Sequence, residues 1–176
     1  MSSIKGDALM GYRNKTYVCF DGDNDIHYYR LMCAWKQNDN SAFDFYNAHD
    51  LNSARDSSQE ENIKAQLRER LKNSSTLVVL IGEQTRYLHK FVRWEMEQAL
   101  KLGLAVIGVN LNGRRSQDSE RCPPVIRDEL AVYVSYNPAI MQFALENWPT
   151  SHQQYKQEGK AGPFYYNDSI YQRAGI

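Results

Sequence analysis

The stretch "TLVVLIGEQTRYLHKFVRWEMEQALKLGLAVIGVN" (76–110) holds two apolar runs with an amphipathic segment between them. The runs at 76–82 and 104–110 show no alternation of polar and apolar residues, which is typical of strands covered on both faces in a parallel sheet. Between them, residues 90–103 place apolar side chains three or four positions apart, which predicts a helix. A strand, a helix and a strand in this order indicate an α/β fold.

The same alternation continues towards both ends of the chain. Further strands are predicted at 16–20, 41–47 and 131–136, and further helices at 24–38, 58–71 and 137–148. This order predicts a doubly wound fold of three layers, in which a five-stranded, mostly parallel sheet carries helices on both faces. We expect residues 1–15 to form an N-terminal segment, 16–148 the domain, and 149–176 an extension that packs on the domain or on a partner.

Composition argues against several classes of protein. Lysine plus arginine equals aspartate plus glutamate, at 21 each, so no overall field favours nucleic acid or an acidic membrane. No apolar run reaches the roughly 20 residues of a membrane span, and residues 1–15 lack the apolar core of a signal peptide. The three cysteines, Cys19, Cys33 and Cys122, have no zinc-site spacing and favour a reduced, cytoplasmic protein without a metal.

The helix at 90–103 contains two glutamates, and a helical wheel separates them. Leu88, Val92, Met96 and Leu100 form one apolar ridge, which Phe91, Ala99 and Leu102 widen. Glu95 falls inside this apolar arc, whereas Glu97 falls on the polar side. A carboxylate on a buried face tends to be neutralised, paired or functional, so Glu95 is a candidate site residue.

Three loops should meet at the carboxyl edge of the sheet, where open α/β sheets bind ligands. They are "DGDND" (21–25), "AHDLNSARD" (48–56) and "GEQTRYLHKF" (82–91). The first is not a calcium loop, because Ile26 and Met32 stand where glycine and glutamate are needed, and its acids would repel phosphate. Either Asp23, Asn24 or Asp25 caps the next helix, or the carboxylates beside the crevice bind ribose hydroxyls. His49 in the second loop is either exposed or part of the site.

A response-regulator site is excluded by the end of the third strand. That strand reads "LIGEQ" (80–84), with no aspartate to accept a phosphoryl group. The sequence also offers no Ser-His-Asp or Cys-His arrangement that can be assembled without guessing.

Together, these segments resemble the TIR-like family that includes the TIR proteins of bacterial Thoeris antiphage systems. The similarity covers roughly residues 15–148 and rests on "YVCFDGDNDIHYYR" (17–30), "AFDFYNAHDLNSARDSS" (42–58) and 76–112. Cys19 stands where the family usually has serine. "LIG" at 80–82 is followed by Thr85, and Phe91 and Glu95 fit the aromatic-x-x-x-Glu signature of the helix.

The resemblance implies a flavodoxin-like fold and cleavage of NAD at the nicotinamide–ribose bond, with Glu95 as the catalytic carboxylate. NAD would be the substrate, with no separate cofactor, and the product an ADP-ribose-derived signal, expected to be cyclic, for an effector protein. The substrate-binding residues expected from the resemblance and the loops are Phe20, Asp21, Gly22, Asp25, His49, Ile81, Gly82 and Phe91.

Two other functions stay open from the sequence. TIR domains also serve as association modules, in which case self-association would be the function and Glu95 would be paired inside the fold. A nucleoside deoxyribosyltransferase-like enzyme shares the sheet and a glutamate. None of these interpretations involves nucleic acid or a membrane.

Overall fold

The fold is described from a computed structural model for residues 16–36, 45–46 and 57–176, with backbone alone at 45–46 and 57–59. The segment at 1–15, the loop at 48–56 and its His49 lie outside the described residues. The strands are β1 Thr16–Cys19, β2 Phe45–Tyr46, β3 Thr76–Ile81, β4 Ala105–Asn110, β5 Ala131–Ser135 and β6 Pro163–Tyr165. The helices are α1 Ile26–Lys36, α2 Ser57–Lys72, α3 Phe91–Lys101, α4 Pro138–Gln157 and α5 Asp168–Arg173.

The described strands form one parallel sheet in the order β2-β1-β3-β4-β5-β6. From β1 the chain goes outward to β2 and then returns to pair β3 on the other side of β1. This reversal makes the β1/β3 boundary the switch point of the sheet, where the loops after neighbouring strands diverge and leave a crevice. The α/β fold with a parallel sheet is confirmed.

Alternate residues of each strand pack in two separate core layers, one on each face of the sheet. Tyr17 and Cys19 face the layer of α2 and α3, while Val18 and Phe20 face the layer of α1, α4 and α5. Because side chains alternate across a strand, the four-residue β1 supplies both layers. The predicted face of α2 is confirmed, since Ile63, Leu67 and Leu71 are all buried.

The C-terminal part of the chain adds to the sheet. Helix α4 begins, as predicted, at an Asn137 cap and continues beyond residue 148 to Gln157, because Trp148 and His152 on either side of Pro149 are buried. Strand β6 then pairs with β5. The Tyr171 hydroxyl of α5 accepts a hydrogen bond from the Ser135 amide at 3.2 Å.

The sixth strand was not predicted, because its three residues include a proline and leave two side chains exposed. Such a segment lacks the apolar alternation by which a strand is recognised in a sequence.

None of the helices in the described ranges is long and apolar enough to cross a membrane.

The loop after β4 is fastened to the sheet by Tyr133. Its hydroxyl donates to the carbonyl of Ile126 at 3.3 Å, accepts from Gln117 Nε2 at 3.1 Å and lies 3.3 Å from the Sγ of Cys122. Burial is the main cause that raises the pKa of Tyr133 above its usual value, so the phenol stays protonated. The ring is therefore held in place against its strand neighbour, Gly108.

Gly108→Ala is expected to destabilise the protein because the added methyl has no room. A Cβ at this position would lie 2.5 and 2.6 Å from two ring carbons of Tyr133. Overpacking of this kind costs about 1–3 kcal/mol, which should lower the urea concentration at the unfolding midpoint. Lys101→Ala, an exposed substitution, is the control and should leave the midpoint unchanged. An unaltered midpoint for Gly108→Ala would contradict this packing.

Candidate functional site

Two cavities flank the β1/β3 switch point at the carboxyl edge of the sheet. The first cavity has a volume of about 310 Å³, and the second has a volume of about 430 Å³. Both volumes fall within the range of small-molecule sites. The first lies towards the start of α3 and the second towards the start of α1.

The first cavity brings together four of the predicted site residues. Phe20, Asp21 and Gly22 line it from the loop after β1, and Phe91 lines it from the first turn of α3. The other lining residues are Asp23, Tyr87, Leu88, His89, Lys90 and Val92. The sequence-based prediction missed Tyr87, His89 and Lys90, although all three stand in the 82–91 loop that was expected at the crevice.

Asp21 shapes the wall of the first cavity. Its Oδ1 accepts hydrogen bonds from the amides of Asp23 and Asn24 at 3.0 and 3.2 Å, and its Oδ2 accepts one from Asn24 Nδ2 at 2.7 Å. A side chain that accepts amides two and three residues on holds a tight turn. Asp21 thus holds the turn that leads into α1.

Aromatic rings border the same cavity. The Phe20 ring stacks on Tyr29 of α1, with centroids 4.6 Å apart and an angle of 12° between the planes. Lys90 Nζ lies 5.5 Å from the centroid of the Phe91 ring and 3.4 Å from an Oε2 of Glu60. The cavity therefore offers apolar ring faces and a cationic rim.

Glu95 lies on α3 one turn beyond Phe91, and only 1 % of it is exposed. Its Oε1 accepts a hydrogen bond from the Tyr17 hydroxyl at 2.7 Å, and its Oε2 accepts one from the Cys19 thiol at 3.1 Å. Helical side chains tilt towards the N-terminus of their helix, so Glu95 leans towards the end of α3 that borders the first cavity. The predicted separation of the two glutamates is confirmed, because Glu97 instead pairs with Arg93 at 2.9 Å near the surface. The wheel was wrong for Leu102, which follows the end of α3 and is exposed.

The protonation states around Glu95 follow from burial. Desolvation first, and the charge of Glu95 second, raise the pKa of both the Tyr17 phenol and the Cys19 thiol. Both groups are therefore protonated donors at neutral pH. An ionised carboxylate only accepts hydrogen bonds, so this pair of donors suits an anionic Glu95. Such a group can stabilise positive charge or attack an electrophilic carbon.

The second cavity contains two further predicted residues, Asp25 and Gly82. They contact each other so closely that a Cβ on Gly82 would lie 2.1 Å from Asp25 Oδ2, which explains the glycine. Asp25 is 8 % exposed. Burial, followed by the charge of Asp21, raises the pKa of Asp25, while His27 and Arg121 oppose the shift. The other lining residues are Asn24, His27, Tyr28, Glu83, Gln84, Leu111, Asn112 and Arg121.

Two of the predicted site residues that the structure describes, Ile81 and Glu95, line neither cavity. Ile81 is 1 % exposed and packs in the core layer of α2 and α3, with Val92 and Met96. His49 lies outside the described residues. The structure thus divides the expected crevice into two neighbouring spaces, and Glu95 is buried on α3 one turn beyond Phe91, which lines the first. Metal-ligand geometry is absent from the described ranges, which hold no cluster of three or more His, Cys, Asp or Glu side chains.

Comparison with known proteins gives one family. The family model described as "Thoeris protein ThsB, TIR-like domain" matches residues 17–116, which is more than half of the chain. The match runs from β1 to the loop after β4 and includes Glu95 with both of its donors. No curated protein matches the chain.

Asp25→Asn is expected to raise the temperature of unfolding at pH 7. The pKa of Asp25 is raised above its usual value of 3.8, so the folded state favours the protonated carboxyl, and stability is lost as the pH rises through the raised pKa. Asparagine has nearly the same shape as aspartate and stays neutral at every pH. The gain over wild type should shrink as the pH falls towards 3.8, which thermal denaturation between pH 3 and 7 would measure.

Asp23→Asn is the matched control, because Asp23 is an exposed neighbour in the same loop. Its unfolding temperature should follow that of the wild type at every pH. A lower unfolding temperature for Asp25→Asn at pH 7 would show that the charged form is the stabilised one, contrary to the burial of this side chain.

Proposed function

The chain belongs to the Thoeris ThsB TIR-like family, and we propose that it cleaves NAD at the nicotinamide–ribose bond in bacterial antiphage defence. The observation that carries this proposal is the buried Glu95 carboxylate, which accepts hydrogen bonds from Tyr17 and Cys19 and lies one turn of α3 beyond Phe91, a lining residue of the first cavity. A carboxylate held in a fixed position near a ligand-sized space at a sheet switch point suits cleavage of a glycosidic bond, because it can stabilise positive charge on the ribose carbon.

The proposed step breaks one bond. The C–N bond between ribose and the cationic nicotinamide ring cleaves, and its electron pair leaves with nicotinamide, which becomes neutral. The ribose carbon is left with oxocarbenium character. A fixed, poorly solvated carboxylate stabilises this charge more strongly than water does, because little reorganisation is needed. Glu95 is such a carboxylate, because it is buried and held by hydrogen bonds.

The cavities offer groups that suit the rest of NAD. The ring of Phe91 can stack on a base or on nicotinamide. Lys90 and His89 at the rim of the first cavity can face the diphosphate. Asp25 and Gly82 border the neighbouring space. His49, outside the described residues, stays a predicted substrate-binding residue.

The fate of ADP-ribose depends on which nucleophile reaches the ribose carbon. Attack by water gives ADP-ribose, and attack by a hydroxyl of the same molecule gives a cyclic product with loss of one proton. We favour the cyclic product as a signal to an effector protein. Self-association through TIR-like surfaces would position the loops around the site. In this proposal NAD is a substrate and no other cofactor takes part.

Glu95→Gln is expected to abolish release of nicotinamide from NAD, because the amide carries no charge to stabilise the ribose cation. The purified protein would be incubated with NAD, alone and with extract from phage-infected cells, and nicotinamide quantified by chromatography. A loss of at least about 100-fold is expected for removal of a catalytic charge. Mass spectrometry of the same reactions identifies the product.

Glu97→Gln is the matched control, two positions away on the same helix but paired with Arg93 near the surface. It should turn over NAD like the wild type. Turnover that survives in Glu95→Gln, with unfolding temperatures equal to wild type, would refute the role of Glu95.

A second function is favoured by the same geometry. Both oxygens of Glu95 have protein donors and the residue is 1 % exposed, as expected for a structural carboxylate in an association module. Sedimentation measurements beside the NAD assay separate the two functions. Concentration-dependent self-association without nicotinamide release in any condition would favour the module, and transfer between free nucleosides would favour a deoxyribosyltransferase-like enzyme.

A further inference from the structure

The second cavity is bordered by a carboxyl group with an oxygen atom that lacks a hydrogen-bond partner. Asp25 borders this cavity and is 8 % exposed. Its Oδ2 is buried and accepts no hydrogen bond in the part of the chain that the structure describes. Buried polar atoms are almost always hydrogen-bonded, so an unpaired oxygen beside a ligand-sized space indicates that a ligand with a donor group completes it.

Aromatic rings border the same cavity. Tyr28 and His27 both line it, and their ring centroids lie 4.1 Å apart with 39° between the planes. Tyr136 holds Tyr28 in place, because its ring meets the Tyr28 ring edge-on at 5.0 Å and its hydroxyl donates to the Tyr28 carbonyl at 2.6 Å. A ring fixed beside an open space is suited to stacking on a planar heterocycle.

Gln84 brings an amide group to the second cavity. This residue precedes the turn at Thr85–Tyr87, and its side chain does not cap that turn. A glutamine amide donates and accepts at once, which is the pattern that pairs with N6 and N7 of adenine. The lining amides of Asn24 and Asn112 already donate to neighbouring aspartates. Gln84 is therefore the lining amide that can pair with a base.

The charges of the second cavity favour an uncharged group over phosphate. Asp25 and Glu83 bring two carboxyl groups to this space, against one guanidinium from Arg121. His89 and Lys90, the candidate partners of the diphosphate, border the first cavity instead. Because NAD consists of two nucleoside ends joined by the diphosphate, one of these ends suits the second cavity better than the diphosphate does.

We propose that the second cavity binds the adenosine end of NAD, with Tyr28 stacked on adenine, Gln84 paired with the adenine edge, and Asp25 accepting hydrogen bonds from the ribose hydroxyls. This inference rests on the proposed NAD cleavage, which requires the nicotinamide end near Glu95 and leaves the other, larger base for the larger cavity. An acidic side chain bonded to ribose hydroxyls is also used by dinucleotide sites of other α/β sheets. The Cβ–Cγ torsion of aspartate has a broad minimum, so the carboxyl group can turn towards these donors.

A truncated substrate tests this assignment. Nicotinamide mononucleotide has the bond that is cleaved in NAD but lacks the adenylate half, so the wild type should show a kcat/KM for NAD at least about 100-fold higher. In Gln84→Leu and Asp25→Ala, we expect kcat/KM for NAD to fall about ten-fold, mainly through KM, because each variant loses one contact with the remote end. The value for the mononucleotide should stay within about two-fold of wild type.

Gln153→Leu and Asp128→Ala are the matched controls. Both residues are exposed and line neither cavity, so both substrates should be cleaved as by the wild type. Thermal unfolding checks that each variant keeps the fold. Gln84 is exposed, so Gln84→Leu carries the test even where Asp25→Ala loses stability.

Binding of free nucleosides gives a readout that does not depend on turnover. The protein would be titrated with adenosine and with 2′,3′-dideoxyadenosine and followed by ligand-observed NMR. Adenosine should bind about ten-fold more tightly, because only adenosine carries the ribose hydroxyls. Asp25→Ala should remove this difference, and Gln84→Leu should weaken the binding of both nucleosides.

The outcomes separate this inference from the function on which it rests. Adenosine binding that Gln84→Leu weakens, without nicotinamide release by the wild type, would support the nucleoside site and overturn NAD cleavage. NAD turnover that Glu95→Gln abolishes but Gln84→Leu and Asp25→Ala leave unchanged would overturn the adenosine site alone. Equal losses on NAD and on the mononucleotide would also overturn it, because these residues would then act at the reacting end.

Discussion

The hydrogen bond from the Tyr17 phenol to Glu95 joins the two elements on which the site depends. It ties α3 to the central strand β1 through a carboxylate that is removed from water. A buried carboxylate is tolerated only where donors replace its hydration, and here the phenol and the Cys19 thiol do so. Because both donors are on one face of β1, the two hydrogen bonds restrict where α3 can place Glu95 along that strand. The position of Glu95 relative to the cavity follows from that constraint.

The order of the strands then decides what lies around the carboxylate. Because β1 pairs with β2 on one side and β3 on the other, the loops after β1 and β3 leave the sheet in different directions. The first cavity opens between them, over the start of α3, and the second opens beside it, over the start of α1. Gly82 is required where the loops approach each other, since Asp25 occupies the space of a side chain. A ligand that used both cavities would pass over this contact.

Much of this arrangement could be predicted from local pattern. Apolar runs without alternation indicated the buried parallel strands, and the helical wheel alone was enough to separate Glu95 from Glu97. Residues of the loops at 21–25 and 82–91 were assigned correctly to the carboxyl edge. The pattern failed where it is weakest: β6 has three residues and a proline, and α4 continues through Pro149 because buried residues on both sides of it hold the helix. Neither feature leaves a periodic signal in the sequence.

By itself, the sequence determined the α/β class, the parallel sheet, the edge at which ligands would bind, and the glutamate that interrupts an apolar helix face. These follow from periodicity, which is a local property of the chain. Only the tertiary structure decided that Asp25 and Phe91 border different cavities, that Ile81 packs in the core, and that Tyr17 and Cys19 hold the two oxygens of Glu95. Tyr17 and Glu95 are 78 positions apart in the chain, and contacts at that separation exist only once the strand register and the helix rotation are set.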